Sequence, residues 1–344
     1  MNARSLLALL LLLPACAQEQ AVVPPAVDGV DAAVWANYAP LPDSVQSADN
    51  PVTPEKVALG RMLYFDTRFS SSGDVSCYVC HPLYDYGTSH RSKAIGHDAT
   101  VGGRNEPTVY NAAGHLAQFW DGRAADIEAQ ALGPILNKVE MGMANGDAVL
   151  KIIKSMPGYQ EAFAKAFPGE EGPVTFVNFG KAIGAFERGL LTPGRWDEFL
   201  AGNPDALTAE EKAGFAEFVS AGCATCHTGP YLGGSMYQKV GVMQPWFNGA
   251  DLGRFKVTGK DEDKMMFKVP SLRNIEETWP YFHDGSVQRI EDAVFLMASY
   301  QLGRQLTLTQ LGSIRNWLRT LTGPVPFEYI AEPVLPPNPV QAAN

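Results

Sequence analysis

The sequence predicts a mostly α-helical protein made of two similar domains. A chain of 344 residues is longer than one small hydrophobic core requires and suits two domains of ordinary size. Short strings recur at a constant spacing of 163 residues: PTVYN at 107 returns as PSLRN at 270, and FWDGR at 119 returns as FHDGS at 282. Helical patterns outnumber alternating strand patterns, so we interpret the two halves as copies of one helical unit.

The elements follow in chain order. Thr53 and Thr208 each have the character of an N-cap that begins a helix, and Glu211 completes a capping box with Thr208. Further helical patterns cover 147–167, 176–191 and 309–321. We expect a signal peptide at 1–17, a proline-rich extension at 18–50, an N-terminal domain at 51–192, a C-terminal domain at 193–325 and a proline-rich tail at 326–344.

The N-terminus has the pattern of an export signal. Arg4 precedes an apolar run over Leu6–Leu13, which is too short to span a bilayer and is followed by small residues. Two cleavage sites fit: one after Ala17, and one before Cys16 that would make this cysteine the acylated first residue of a lipoprotein. Both predict a periplasmic location, and the second adds a lipid anchor.

The overall charge excludes one large class of function. The formal charge is −10 and the isoelectric point is near 5.1. A polyanion would be repelled over most of such a surface, so the composition argues against a protein that binds nucleic acid through its phosphates.

The four cysteines beyond Cys16 form two Cys-x-x-Cys-His motifs, SCYVCH and GCATCH, which end at His81 and His227. Disulfides, a redox dithiol or half of a zinc site would explain a cysteine pair, but none of them requires the histidine, and none requires it twice. Attachment of a c-type haem requires all three residues, since the thiols bind the vinyl groups and the histidine binds iron. We therefore predict two covalent haems, at Cys77 and Cys80 and at Cys223 and Cys226.

The second iron ligand decides whether each haem only transfers electrons. Met297 follows the second repeat block, but it shares a helical face with Ile290 and Val294, and a methionine in such a pattern is more typical of a core residue than of a ligand. His97 lies between glycines in AIGHDATVGG, where the backbone has the freedom to carry a ligand away. Thioether ligation in the C-terminal half would raise the potential and suit that haem to store an electron.

At these residues the chain resembles the bacterial di-haem cytochrome c peroxidases over nearly its whole mature length. The strings that carry the resemblance are LGRMLYFDTRFSSSGDVSCYVCH, GGRNEPTVYNAA, QFWDGRAADIEAQALGPILNKVEM, VPSLRN, YFHDGS and MASYQLG. The resemblance implies two cytochrome-c-like domains, reduction of hydrogen peroxide to water, and electrons from a small cytochrome c or cupredoxin. It also implies that some members form homodimers.

The resemblance further implies individual roles. His97 matches a loop histidine that caps the N-terminal haem until the C-terminal haem is reduced. Met297 matches the distal ligand of the C-terminal haem, and Trp120 matches a tryptophan that lies between the two haems. Gln130 and Glu140 match a pair that lines the peroxide pocket. Asn105, with Thr278 and Pro280 through carbonyl oxygens, matches a calcium site between the domains. Lys138 stands where many relatives have proline.

Two alternatives remain open at this stage. Related di-haem enzymes oxidise tryptophan in a partner protein and share most of these strings, although one of them has tyrosine where this chain has Met297. A non-catalytic electron carrier would keep both haems six-coordinate; Glu140 and the glycine-flanked His97 argue against it.

Overall fold

The computed structural model describes residues 24–338. The expected signal peptide and Cys16 lie outside these residues. The described part of the chain is mostly helical with one small sheet, as the helical patterns of the sequence predict. No helix within 24–338 is both long and apolar enough to cross a membrane.

Eleven α-helices and two strands are formed within these residues. The helices are α1 (Pro54–Phe65), α2 (Cys77–Cys80), α3 (Ile127–Leu136), α4 (Gly146–Lys154), α5 (Pro157–Ala166), α6 (Phe176–Glu187), α7 (Arg195–Leu200), α8 (Ala209–Ala221), α9 (Phe255–Thr258), α10 (Ile290–Leu296) and α11 (Leu308–Leu318). The strands are β1 (Tyr237–Lys239) and β2 (Met266–Lys268), paired antiparallel.

The expected N-caps are present. The hydroxyl of Thr53 accepts the Lys56 N–H at 3.3 Å, and Thr208 and Glu211 satisfy each other's backbone N–H groups. The long pattern at 147–167 forms two helices rather than one, because Pro157 cannot donate the hydrogen bond that would continue α4 and instead begins α5.

Each half is built on a close pair of helices. In the N-terminal half α1 packs on α6, and a Cβ at Gly60 would lie 1.9 Å from the Ala182 carbonyl oxygen. In the C-terminal half α8 packs on α11, and a Cβ at Gly214 would lie 2.1 Å from the Ser313 carbonyl oxygen. A side chain at either glycine would force the two helices apart, so both crossings depend on glycine.

The two terminal segments cross to the opposite half. Val27, Trp35 and Tyr38 lie in the core of the C-terminal half. Ile330, from the other end of the chain, lies in the core of the N-terminal half, where the neighbouring Tyr329 ring stacks on Phe186. The segments expected to be proline-rich extensions therefore contribute core residues, each to the hydrophobic cluster more distant in sequence.

The repeated strings have the same backbone conformation. Asn111 and Asn274 have φ of 59° and 57°, and Phe119 and Phe282 have φ of 67° and 69°. The two asparagine side chains donate to one hydroxyl, that of Thr192, at 2.9 and 2.8 Å. Thr192 thus lies where the two repeat blocks meet.

Candidate haem and peroxide site

The first cysteine motif forms the single turn α2. His81 N–H bonds the Cys77 carbonyl at 2.8 Å, and the His81 Nδ1 atom lies 3.0 Å from the Gly87 carbonyl oxygen. That bond places the proton on Nδ1 and leaves Nε2 as the nitrogen with a lone pair. Burial lowers the pKa of His81, which favours the neutral imidazole that a metal requires.

The second motif repeats this arrangement. His227 N–H bonds the Cys223 carbonyl at 3.1 Å, and His227 Nδ1 lies 3.0 Å from the Leu232 carbonyl oxygen. Burial lowers the pKa of His227 as well. Both motif histidines are therefore oriented by a backbone carbonyl in the manner typical of metal-bound histidine.

The alternatives for the cysteine pairs do not fit. None of the four cysteines forms a disulfide. Burial raises the pKa of Cys80 to about 11 and of Cys223 to about 12, whereas a redox dithiol needs a readily ionised thiol. Nowhere in 24–338 do three or more His, Cys, Asp or Glu side chains form a group that could hold a metal ion, so a shared zinc site is not formed.

A largely apolar cavity of about 260 Å³ adjoins the second motif. Cys223, Cys226, His227 and Met297 all line it. A thiol pair, a neutral histidine and a thioether around one apolar space are the donor set of a covalent haem with histidine and methionine ligands. Met297 also begins a π-helical segment, Met297–Gln301, that follows α10 directly, and such segments often occur at functional sites.

His97 is held against the loop that carries Glu140. The His97 N–H bonds the Glu140 carbonyl at 2.7 Å, and the His97 Nε2 atom donates to the Lys138 carbonyl oxygen, also at 2.7 Å. The next two residues, Asp98 and Ala99, have φ of 54° and 56°, a left-handed backbone that costs energy outside glycine. In this arrangement the Nε2 atom gives its proton to a backbone carbonyl and is not free to bind a metal.

Glu140 lies in the turn after α3. Burial raises the pKa of its carboxyl group, while the charge of Arg123 and a hydrogen bond from Asn137 act in the opposite direction. Gln130 lies on α3 itself, half-buried. No hydrogen bond joins the Gln130 and Glu140 side chains, so the structure brings them to neighbouring segments without linking them directly.

Trp120 connects the two halves. Its Nε1 donates to the Asn105 carbonyl at 2.9 Å, its own carbonyl accepts the Lys268 N–H of β2 at 2.8 Å, and its ring meets His283 edge-on at 6.3 Å. Trp120 also lines the cavity beside the second cysteine motif.

An ionic network fixes the turn next to Trp120. Arg104 binds both carboxylate oxygens of Asp251 at 2.5 and 2.9 Å, and its third nitrogen binds Asp121 at 2.6 Å. Arg254 donates to the Asp121 carbonyl at 3.0 Å. Because Asp251 and Arg254 belong to the C-terminal half, the network joins the halves. The pattern of charges in the sequence does not predict it.

The three residues expected to bind calcium also line this cavity. Asn105, Thr278 and Pro280 line it, and the Asn105 N–H bonds the His283 carbonyl at 2.9 Å. The Asn105 Nδ2 donates to the Arg91 carbonyl at 2.9 Å, which turns its Oδ1 the other way. An amide oxygen and two backbone carbonyls are hard ligands that suit calcium.

Residues 54–205 match the model of the di-haem cytochrome c peroxidase family. The chain is 43% identical to the cytochrome c551 peroxidase of Nitrosomonas europaea, over 86% of this chain and 90% of that protein. It is 40% identical to the protein of the same name from Pseudomonas aeruginosa, with 87% of each chain covered.

This chain belongs to the di-haem cytochrome c peroxidase family. Among solved structures, a MauG-like protein associated with microbial copper homeostasis superposes with a TM-score of 0.74 at 28% identity, covering 85% of this chain and 95% of that one. Membership of the family confirms the resemblance predicted from the sequence strings and identifies the chain as a haem-dependent oxidoreductase.

Proposed function

We propose that this family member is a cytochrome c peroxidase that reduces one hydrogen peroxide, with two electrons and two protons, to two waters. The observation that carries the proposal is the difference between the two halves. Met297 lines the cavity of the second cysteine motif. The N-terminal half instead has a half-buried carboxyl group with a raised pKa, Glu140, and a histidine whose ring bonds a backbone carbonyl, His97. One half is thus suited to electron storage and the other to chemistry.

Two c-type haems, one held by Cys77, Cys80 and His81 and one by Cys223, Cys226 and His227, would supply the iron centres and the stored electrons. In the C-terminal half Met297 would be the second ligand. This assignment is supported by the shared cavity and by the hydrogen bond that orients each motif histidine.

Glu140 is the proposed acid and base. Cleavage of the peroxide bond requires a proton to leave one oxygen and reach the other, and one carboxylate within reach of both oxygens can perform both transfers. The raised pKa of Glu140 supports this role, because a buried carboxyl group is more readily returned to its protonated form. Gln130 is proposed to orient the substrate.

His97 is the proposed removable ligand. The bonds from its backbone to Glu140 and from its ring to Lys138 would stabilise the arrangement in which peroxide has access. Reduction of the C-terminal haem would favour that arrangement, and electrons would then pass by way of Trp120. A small cytochrome c or cupredoxin is the proposed donor.

The remaining assignments are proposals of the same kind. Asn105, Thr278 and Pro280 are proposed to bind one calcium ion, and the halves 51–192 and 193–325 are proposed to be duplicated domains, which the matching φ angles of the repeat blocks support. The export pattern supports a periplasmic location. Lipid attachment at Cys16 and a homodimer are expectations that rest on the sequence and the resemblance.

The test begins with a count of covalent haems per chain by mass spectrometry. Peroxide is then added, in a stopped-flow spectrophotometer, to the oxidised protein and to the protein reduced by one electron, with calcium present. Fast reaction only after reduction supports the gated peroxidase. Fast reaction in both forms keeps the peroxidase and removes the gate, and no reaction in either form rejects the function in favour of an electron carrier.

A further inference from the structure

Lys268 is a buried cation without a counter-ion. Its side chain lies on β2 with the residue 8% exposed, and no carboxylate of residues 24–338 lies within ion-pair distance of its Nζ atom. Burial lowers the pKa of this lysine to about 8, with no charged neighbour acting against it. An ammonium group in such a place is costly unless something negative is bound there.

The Nζ atom is only partly satisfied by protein. It donates to the Ala117 carbonyl at 2.8 Å and lies 3.2 Å from His115 Nδ1, which must then accept. A lysine has three N–H donors, so one is left over. His115 consequently carries its own proton on Nε2, a buried atom with no hydrogen-bond partner.

The pair lies beside the second cysteine motif. Lys268 and His115 line the same cavity as Cys223, His227 and Met297. Glu106 is the acidic residue among those lining this cavity, and it makes no ion pair with Lys268. The apolar space of the proposed C-terminal haem therefore has a positive, donor-rich wall.

We propose that Lys268, supported by His115, binds a propionate carboxylate of the C-terminal haem. A haem has an apolar ring and two anionic propionates, and a buried ammonium with a spare N–H supplies the charge and the donor that one carboxylate needs. The inference rests on the proposed covalent haem at Cys223 and Cys226. It adds a residue that sets the redox potential of that haem.

The same lysine is linked to the route between the halves. The Lys268 N–H bonds the Trp120 carbonyl at 2.8 Å, so the residue that would hold the propionate also fixes the backbone of the proposed electron relay. A positive charge near the haem favours the reduced iron, because reduction lowers the charge of the centre. Lys268 would thus raise the potential and help the C-terminal haem to hold an electron.

The test uses the holoprotein and the variants Lys268→Met, Lys268→Arg and Lys239→Met. Lys239 is the matched control because it also lines the cavity but is solvent-exposed. A mass spectrum first verifies two haems per chain; if wild-type protein carries none, the proposed function fails before this inference is tested. The midpoint potential of each haem is then measured by spectroelectrochemistry, with the propionate bending band in the resonance Raman spectrum as a second readout.

Lys268→Met should lower the midpoint potential of the C-terminal haem by at least about 59 mV, which for one electron is a tenfold change in the ratio of oxidised to reduced haem. The same variant should shift the propionate band. Lys268→Arg should retain most of the potential, and Lys239→Met should leave both readouts near wild type. An unchanged potential and band in a Lys268→Met protein with both haems attached overturns the proposal.

Two further results are decisive. If Lys268→Met does not retain haem, His115→Gln keeps the lysine charge and must still shift the propionate band; an unshifted band rejects the site. If the wild-type potential depends on added acetate and the propionate band does not respond to Lys268→Met, the pair binds a free carboxylate and the assignment to the haem is wrong.

Discussion

The contact between Gly142 and His97 gives a direct way to displace the histidine. Gly142 has a φ of 69°, and a Cβ added there would lie 2.2 Å from His97 Nε2, far inside the closest approach of real side chains. The backbone here is fixed by bonds from the Gly142 N–H to the Asn137 carbonyl and from the Met143 N–H to the Ile135 carbonyl, both at 2.9 Å. Gly142→Ala therefore cannot coexist with the ring position observed, and the ring must give way.

The size of the effect has two parts. Alanine in the left-handed backbone at Gly142 costs about 1–2 kcal/mol of unfolding free energy, whichever position His97 takes. Displacement of the ring also breaks the hydrogen bond from His97 to the Lys138 carbonyl, which is worth about 1 kcal/mol net. This second part acts only on the docked position and shifts the equilibrium towards released His97 by roughly fivefold or more.

The assay measures the oxidised and the one-electron-reduced holoprotein. Absorption and electron paramagnetic resonance spectra give the low-spin fraction of the N-terminal haem, which reports ligation by His97, and peroxide decay gives the rate. We expect Gly142→Ala to raise the low-spin fraction and to lower the rate after reduction by about fivefold or more. Gly169→Ala is the control for strain, because Gly169 has a φ of 84° and nothing within 4 Å of the added Cβ.

Spectra and rates of Gly142→Ala that match those of Gly169→Ala would refute the reasoning. Such a result would mean that the position of the His97 ring does not control access, whatever the cost in stability. Both variants carry the strain of a left-handed alanine, so an additional loss of unfolding free energy in Gly142→Ala, up to about 1 kcal/mol in urea denaturation, measures the broken His97 hydrogen bond.

Three further changes test other parts of the site. Burial raises the pKa of Glu140, so the turnover rate should rise with pH through an inflection that lies above the ordinary pKa of glutamate. Glu140→Gln should remove that inflection and slow peroxide reduction by about 10²–10⁴-fold. A rate near that of the wild type would exclude Glu140 as the base. Arg104→Lys loses the two-point contact with Asp251, so it should lower the unfolding free energy by about 1–3 kcal/mol. The same variant should slow electron transfer between the haems after flash reduction. An unchanged transfer rate would limit Arg104 to a structural role. Arg273→Met leaves the buried Asp197 carboxylate unpaired and should cost about 3–5 kcal/mol in urea denaturation, and removing that carboxylate as well should recover part of the loss.

Local features of the sequence predicted much of the fold. The capping residues Thr53 and Thr208 begin helices as expected, since an N-cap depends on contacts within one turn. The cysteine motifs could be recognised equally well, because both cysteines and the histidine of each motif lie within five residues. The family followed from strings of this kind.

Features that depend on distant contacts could not be predicted in the same way. The bond between Arg104 and Asp251 joins residues 147 positions apart, and neither residue belongs to a periodic pattern. Lys268 resembled any polar residue of a short strand until the cavity beside it was known. The pattern of Met297 is more typical of core packing than of ligation, and the cavity that it shares with the second cysteine motif is a property of the fold.

The crossing of the terminal segments constrains the order in which the molecule can be completed. The N-terminal half emerges first, from the ribosome and then from the export machinery, and domains generally fold as units in that order. Here the core around Phe186 lacks Val325 and Ile330 until nearly the whole chain has been made. The N-terminal half must therefore wait, partly open, for the last part of the chain, and neither half can be excised as an autonomous module without uncovering the interior of the other.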